Sequence, residues 1–272
     1  MDATDNSILF SDNFSDSRLF RQPDKIVHIL CNKGYMSFSV QHVRYNVACG
    51  DYVILPPGMI VSDISQSDDC SAMIMSFNEA LAVKSAIQND YGVIGHLSLL
   101  QNPVIRLDDA EYSICLEDMR LLKERSSHSG HLFYNEMITS LLKVHILDLY
   151  HIHAKANKDF NVSSRPAELM REFIRMLMEG AYRTRRDLEY YSSTLCITSH
   201  YLSEVSIMVS KRPASYWIDL FVTNELSRLL IQKDLTLTDI ALRLNFSSTS
   251  YLSRYVRKHF GMTPSEFRKT LK

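Results

Sequence analysis

Apolar positions follow two different rhythms along this chain. Over residues 24–77 they form short runs rich in β-branched and aromatic residues: DKIVHILC, YMSFSVQHVRYNV, DYVILPP and SAMIMSF. Gly34, Gly50 and Gly58 punctuate them, which predicts β-strands joined by tight turns. Beyond residue 108 the spacing changes to threes and fours. Residues 108–124 carry Tyr112, Cys115, Met119 and Leu122 as one helical stripe. Residues 132–150 carry Phe133, Met137, Leu141, Val144 and Leu147 or Leu149, more apolar than a single buried face requires. Residues 154–165 (AKANKDFNVSSR) are polar and show no such period, so they read as a linker. The expected division is residues 1–153, a linker at 154–165, and residues 166–272, each part long enough for its own core.

The C-terminal end is the most informative stretch. Thr236 stands where an N-cap belongs, with Asp239 facing the positive end of the helix. Leu237, Ile240, Ala241 and Leu244 give the apolar stripe of a short helix. Asn245, Phe246 and Ser247 break it, and Ser247 or Ser248 can cap a second helix. In that second helix Leu252, Val256 and Phe260 point inward, while Thr249, Ser250, Ser253, Arg254 and Arg257 share the opposite face. Hydroxyls that reach phosphates or base edges, beside arginines that can fork onto guanine, suit a helix lying in a DNA major groove. Gly261 fits a left-handed C-cap, and Thr263, Pro264, Ser265 and Glu266 form a capping box that opens a third helix.

The pattern occurs twice. Asp187, Leu188, Tyr191, Ser192 and Leu195 recur 49 residues on as Thr236, Leu237, Ile240, Ala241 and Leu244. Tyr201, Leu202 and Ser203 recur 50 residues on as Tyr251, Leu252 and Ser253. Two helix-turn-helix units in tandem are expected, the second turn longer by one residue. Between them Pro213 can start a long helix, ASYWIDLFVTNELSRLLIQ, whose Trp217, Leu220, Phe221, Leu226, Leu229 and Leu230 could pack against both units.

The segment DIALRLNFSSTSYLSRYVRKHFGMTPSEFRK resembles the C-terminal signature of the AraC/XylS transcription regulators. The match runs through Ile240, Ala241, Leu244, Phe246, Ser250, Tyr251, Ser253, Arg254, Phe260, Gly261, Thr263, Pro264, Phe267 and Arg268, and extends more weakly back to about Pro166. The stretch from Gly50 to Gly58 resembles the strand-turn of cupin-like sensor barrels found ahead of this module. The resemblance implies an α+β protein: an N-terminal cupin-like β-barrel with a helical dimerisation segment, then an all-α domain with two helix-turn-helix units joined by a long helix. It implies a cytoplasmic bacterial transcription regulator, more often an activator than a repressor. Double-stranded DNA at a promoter or operator would be its partner, with RNA polymerase, a second copy of the chain and a small-molecule effector of the N-terminal domain as further partners. The recognition helices would enter successive major grooves, about one helical turn apart.

The two readers differ. The second carries Ser248, Thr249, Ser250, Ser253, Arg254, Arg257 and Lys258 as candidate DNA-binding residues. The first, expected over residues 198–210, offers Ser199, His200, Tyr201, Ser203 and Glu204. The resemblance puts arginine where Glu204 stands, lysines where Ile207 and Met208 stand, and a turn glycine where Lys211 stands. Glutamate can accept from cytosine N4 but repels phosphate; solvent or a neighbouring base is the simpler partner for Glu204. Arg183, Arg185, Arg186, Lys211 and Arg212 are placed for phosphates rather than bases. The second unit is therefore expected to anchor the protein.

Charge follows the division. Residues 166–272 hold 16 Lys and Arg against 11 Asp and Glu, a formal +5, whereas residues 1–165 hold 14 against 20, a formal −6. Only the basic part suits a polyanion, and its modest charge predicts salt-sensitive binding. The N-terminal stretch resembles neither a signal peptide nor a membrane anchor, and no 18-residue apolar run occurs. Five cysteines without a CxxC pair read as reduced thiols. Histidines at 28 and 42 lack a partner at ligand spacing, and the pair at 151 and 153 sits at an expected helix end. No metal, cofactor or catalytic residue is therefore assigned. The alternatives are a DNA-binding regulator without a small-molecule ligand and, from another class, a cupin-type metalloenzyme.

Overall fold

A computed structural model describes residues 8–12, 14, 25–40, 43–57, 59, 61–85, 102–156, 165–232 and 234–270. The chain divides into two compact units, Met1–Lys158 and Asp159–Lys272.

The first unit contains β1 (Leu9–Ser11), β2 (Lys25–Lys33), β3 (Tyr35–Val40), β4 (Val43–Ala48), β5 (Asp51–Leu55), β6 (Val61–Gln66), β7 (Ser71–Asn78), α1 (Glu79–Ser85), β8 (Val104–Arg106), α2 (Asp109–Ser126) and α3 (Tyr134–Ala156). Two antiparallel sheets form, in the orders β1-β7-β2-β5-β8 and β4-β3-β6. Strand alternation explains the continuous apolar runs. Val27, Ile29 and Cys31 on β2 pack with Met36 and Phe38 of the smaller sheet, while Leu30 of β2 and Met75 and Phe77 of β7 pack with α2 and α3. The larger sheet is covered on both faces, so both parities are apolar. Gly34 turns β2 into β3 at φ 71°, a left-handed backbone conformation that strains a residue with a Cβ, and a Cβ there would also crowd Ser67 Oγ and Asp69.

The four runs anticipated as strands are β2, β3 with β4, β5 and β7. Sequence reading missed β6, whose face is exposed from Ser62 to Gln66 and so shows no hydrophobic alternation. It also missed the three-residue β1 and β8, and α1, whose first turn is capped by Asn78 Oδ1 accepting from Leu81 N–H at 2.8 Å. Gly58 and His42 lie outside the described residues.

Two expectations for the helical pair need correction. The stripe anticipated for residues 132–150 is buried only in part: Leu149 is buried and Met137 and Leu141 are half-buried against the core, whereas Phe133, Val144 and Leu147 are exposed, and the buried line runs through Ile138, Leu142, His145, Leu149 and Ile152. A histidine interrupts the buried stripe and so disguised it. The helix also runs into the stretch read as linker, ending at Ala156, and α4 (Arg165–Met178) already begins at Arg165. The extension follows from burial of Ile152 and His153 and from Lys155, whose Nζ donates to Asp108 Oδ2 at 2.8 Å and Glu111 Oε1 at 2.9 Å.

His145 is tolerated in the core because a polar chain satisfies it. His28 Nδ1 lies 2.8 Å from Tyr52 Oη, Tyr52 Oη lies 2.7 Å from His145 Nε2, and His145 Nδ1 lies 3.1 Å from Asp118 Oδ2. The carboxylate accepts from His145 Nδ1–H; Nε2 then accepts from the Tyr52 hydroxyl, whose oxygen accepts from His28. The chain ties β2 and β5 to α3 and α2. Burial, the larger cause, and the neighbouring His145 imidazole, which would repel a second positive ring, hold the His28 pKa well below its ordinary value. Burial, followed by Cys115 and Asp118, pushes Tyr52 well above its own. Among the described residues no helix is long and apolar enough to cross a membrane, and no group of three His, Cys, Asp or Glu is placed to hold a metal ion.

Candidate nucleic-acid interface

Among its described residues the second unit forms helices and the turns between them. It runs through α4, a single 3₁₀ turn (Ala181–Arg183), α5 (Leu188–Thr194), α6 (Ser199–Ser210), α7 (Ala214–Ile231), α8 (Leu237–Arg243), α9 (Thr249–Phe260) and α10 (Pro264–Thr270). Helices α5 and α6 form one helix-turn-helix, α8 and α9 the other, and α7 lies between them in the chain.

Local chemistry sets each boundary. Asp187 Oδ1 accepts from Tyr190 N–H at 2.9 Å and starts α5. Thr198 accepts from Tyr201 N–H at 3.1 Å and starts α6. Thr236 and Asp239 satisfy each other's backbone in a full capping box at α8, and Ser248 accepts from Tyr251 N–H at 3.1 Å at α9. The reciprocal bonds of Thr263 and Glu266 open α10. Hydrogen bonds from Thr236, and from Thr263, lower the pKa of Asp239 and Glu266 respectively, so both caps are charged at neutral pH. Both recognition helices end on a left-handed residue, Lys211 at φ 58° and Gly261 at φ 71°.

The joining helix α7 buries Trp217, Leu220, Leu226, Leu229 and Leu230. Trp217 Nε1–H donates to Ser210 Oγ at 2.9 Å, tying α7 to the end of α6. At its other end Arg268 of α10 donates to the carbonyls of Leu230 at 3.1 Å and Leu235 at 2.6 Å. Between α9 and α7, Tyr255 Oη donates to Asp219 Oδ1 at 2.5 Å. The two units thus share α7 as a common brace.

A second brace escaped the sequence reading. Arg186, expected to meet phosphate, instead donates to the carbonyls of Leu244 and Asn245, the latter at 2.8 Å, and lies 4.1 Å over the Phe246 ring. Asn245, left-handed at φ 48°, returns a bond from Nδ2 to Thr184 O at 3.2 Å. The residues just ahead of the first unit therefore clamp the turn of the second. A lone arginine before a helix carries no sequence signal for such a distant partner. Arg183, itself exposed, lies 3.5 Å from buried Glu225, which Arg228 engages bidentately at 2.7 Å.

The predicted residues of the second reader fall together. Ser248, Ser250, Arg254, Arg257 and Lys258 are exposed on or beside α9. Thr249 and Ser253 are half-buried, with Ser253 Oγ donating to Thr249 O at 2.9 Å. Arg254 lies 5.9 Å over the ring of Tyr251. In the first reader His200 and Glu204 are exposed and 3.4 Å apart. Ser203 is half-buried, and Ser199 turns into the helix-turn-helix, its Oγ 2.9 Å from Ser192 Oγ. Arg185 and Arg212 stay exposed, lying 5.5 Å over Tyr190 and 5.0 Å over Tyr216.

Comparison with known proteins agrees with this geometry. A family described as a helix-turn-helix domain matches residues 191–270. A curated relative, probable transcription factor PqrA of Proteus vulgaris, is 42% identical over 45 residues, 16% of this chain and 37% of the relative's own length. Among solved structures, unsaturated fatty acid-bound ToxT from Vibrio cholerae strain SCE256 aligns over 98% of this chain and 97% of its own, with TM-score 0.50 and 14% identity. A further ToxT structure from Vibrio cholerae covers 98% and 99% with TM-score 0.52 at 13% identity. At such identities the likeness is one of fold: an N-terminal β domain followed by a helical helix-turn-helix domain. From Tyr191 on, the capped tandem repeat and the residues on α8 to α10 lie within the stretch that the helix-turn-helix domain family matches.

Proposed function

We propose that this chain is a transcription regulator, not an enzyme, that grips operator DNA asymmetrically, with α9 as anchor and α6 as auxiliary reader. The observation that carries the reading is the exposed row of Arg254, Arg257 and Lys258 on α9, framed by hydroxyls at its N-terminal end. Arginine at 254 forks onto a guanine edge, and the remaining cations release counterions from phosphate. The clamps at Arg186 and along α7 keep the two readers at one separation, as contact with two successive grooves on one duplex requires. A footprint on DNA upstream of its own operon tests this. Protection lost in Arg254→Ala supports it; no protected sequence for the unsubstituted protein refutes it.

The N-terminal domain serves dimerisation and signal sensing in this proposal. Ile114 and Leu121 on α2, with Val144 and Leu147 on α3, stay exposed on the helical pair, an apolar surface suited to a second copy. Dimerisation would place two double readers on one site and raise avidity without new base contacts. A bound effector would bias activation only through unequal affinity for two arrangements of the protein. The shared fold with a fatty acid-bound protein makes long-chain carboxylates the first class to screen by thermal shift.

A further inference from the structure

Three of the chain's five cysteines converge on one turn of the first unit. Cys31 lies near the end of β2, Cys49 just ahead of β5 and Cys70 just ahead of β7, and β2 is hydrogen-bonded to both of those strands. They meet around Gly34, the residue that follows β2. Cys31 Sγ lies 3.9 Å from the Gly34 carbonyl oxygen, the Cys49 N–H donates to that carbonyl at 3.0 Å, and a Cβ on Gly34 would stand 3.0 Å from Cys70 Cα. The Cys70 thiol has the Cys31 thiol as a hydrogen-bond partner. Cys49 is engaged elsewhere, its Sγ donating to Asn32 O at 3.1 Å. Cys31 is buried, Cys70 half-buried and Cys49 exposed. Among the described residues no such group is placed to hold a metal ion, so the chemistry open to this cluster is that of the thiols themselves.

We propose that Cys31 and Cys70 are a redox pair that closes reversibly into a disulfide under a peroxide-class oxidant. The Cys70 thiolate, the more accessible of the two, attacks one peroxide oxygen. The O–O bond breaks, and the departing hydroxide takes a proton and leaves as water. The Cys31 thiolate then attacks the sulfur of the Cys70 sulfenic acid, the S–O bond breaks, and a second water departs. In all, two thiols give up two electrons and two protons, and one hydrogen peroxide becomes two waters. Burial, followed by Asp69, raises the Cys70 thiol above its ordinary value. Burial, followed by the Cys70 and Cys49 thiols, pushes Cys31 up to about 12. Thiolate is therefore scarce at neutral pH, so the pair answers a high oxidant level and does not scavenge traces. A transient, sensing disulfide is the kind that a reducing compartment tolerates. The site adjoins the helical pair: Asn32, next to Cys31, accepts through Oδ1 from the Tyr112 hydroxyl of α2 at 3.1 Å.

The test treats the full-length protein with hydrogen peroxide, alkylates the remaining thiols without reductant, and maps the digest by mass spectrometry. The parent should lose two of its five free thiols and yield a peptide cross-linked through Cys31 and Cys70 that dithiothreitol separates. The rate of cross-linking should rise about tenfold per pH unit between about pH 7 and 8.5, as the thiolate fraction does below a thiol's pKa. Cys70→Ser, at a half-buried position, should abolish the cross-link, whereas Cys49→Ser should leave its yield and rate unchanged. The cross-linked peptide of the parent decides the pairing even where a variant folds poorly. Oxidation that stops at the sulfenic or sulfinic acid, a bond through any other cysteine, or a rate indifferent to pH would overturn the proposal.

Discussion

Arg186→Ala should unfold the C-terminal domain more easily than any surface substitution in it. The guanidinium donates to two turn carbonyls, at Leu244 and Asn245, and stacks 4.1 Å over Phe246. A hydrogen bond from a charged donor contributes about 1.5–3 kcal/mol, and the lower end applies here because Arg186 is only half-buried. Stacking on an aromatic ring adds about 0.5–1 kcal/mol. The clamp therefore contributes about 3–4 kcal/mol, a large part of the stability of a domain this size. The chain has one tryptophan, Trp217, fully buried in α7. Its fluorescence thus follows unfolding of this domain within the full-length protein. With a urea m-value of about 1.5 kcal/mol/M, the midpoint should fall by about 2 M. Arg186→Lys should recover less than half of the loss, since an ammonium cannot fork between two carbonyls while stacking. A loss below about 1 kcal/mol at unchanged m would refute the clamp.

Arg254→Ala should weaken DNA binding by about 1–3 kcal/mol and relax the preference for one base pair, read by fluorescence anisotropy on base-substituted duplexes. Gly261→Ala should destabilise the domain by about 1 kcal/mol, because φ is 71° there although the space is open, while Lys211→Gly should stabilise it by about 0.5–1 kcal/mol by relieving the same conformation; urea midpoints decide both. The N-terminal domain should lose stability as pH falls. The pKa of His28 is lowered by burial in the folded state, so the unfolded chain binds more protons below its own value of about 6.5, and folding weakens by about 1.4 kcal/mol per pH unit below it. His153, also lowered by burial, acts in the same direction. His28→Phe should flatten the dependence of melting temperature on pH between 6.5 and 5; an unchanged slope would contradict the buried neutral ring.

Sequence made the C-terminal domain legible because its information is local. Caps at Thr198, Thr236 and Ser248 and stripes such as Leu252 with Val256 act within one or two turns, and the repeat doubled the signal. What was missed is non-local. Arg186 reads as one more surface cation until the fold brings the turn at Asn245, 59 residues on, against it. His145 reads as the polar edge of a helix until Tyr52 and Asp118 are placed around it, which hides the part of the α3 core line that runs through Ile138, Leu142 and His145. Strand β6 was invisible because its exposed face removed the alternation that marks a strand. The linker was begun too early because Lys155 looks solvated in sequence, although two carboxylates from the start of α2 hold it.

The central claim is that α9 anchors the protein on DNA and α6 adds little charge-dependent affinity. It is tested most directly by the salt dependence of binding to a selected duplex. Arg257→Ala should lower the slope of log K against log salt by about 0.9 and weaken binding, as loss of one phosphate contact requires. Glu204→Ala should leave the slope within experimental error of the parent. Equal effects of the two substitutions, or a slope indifferent to Arg257, would contradict the account.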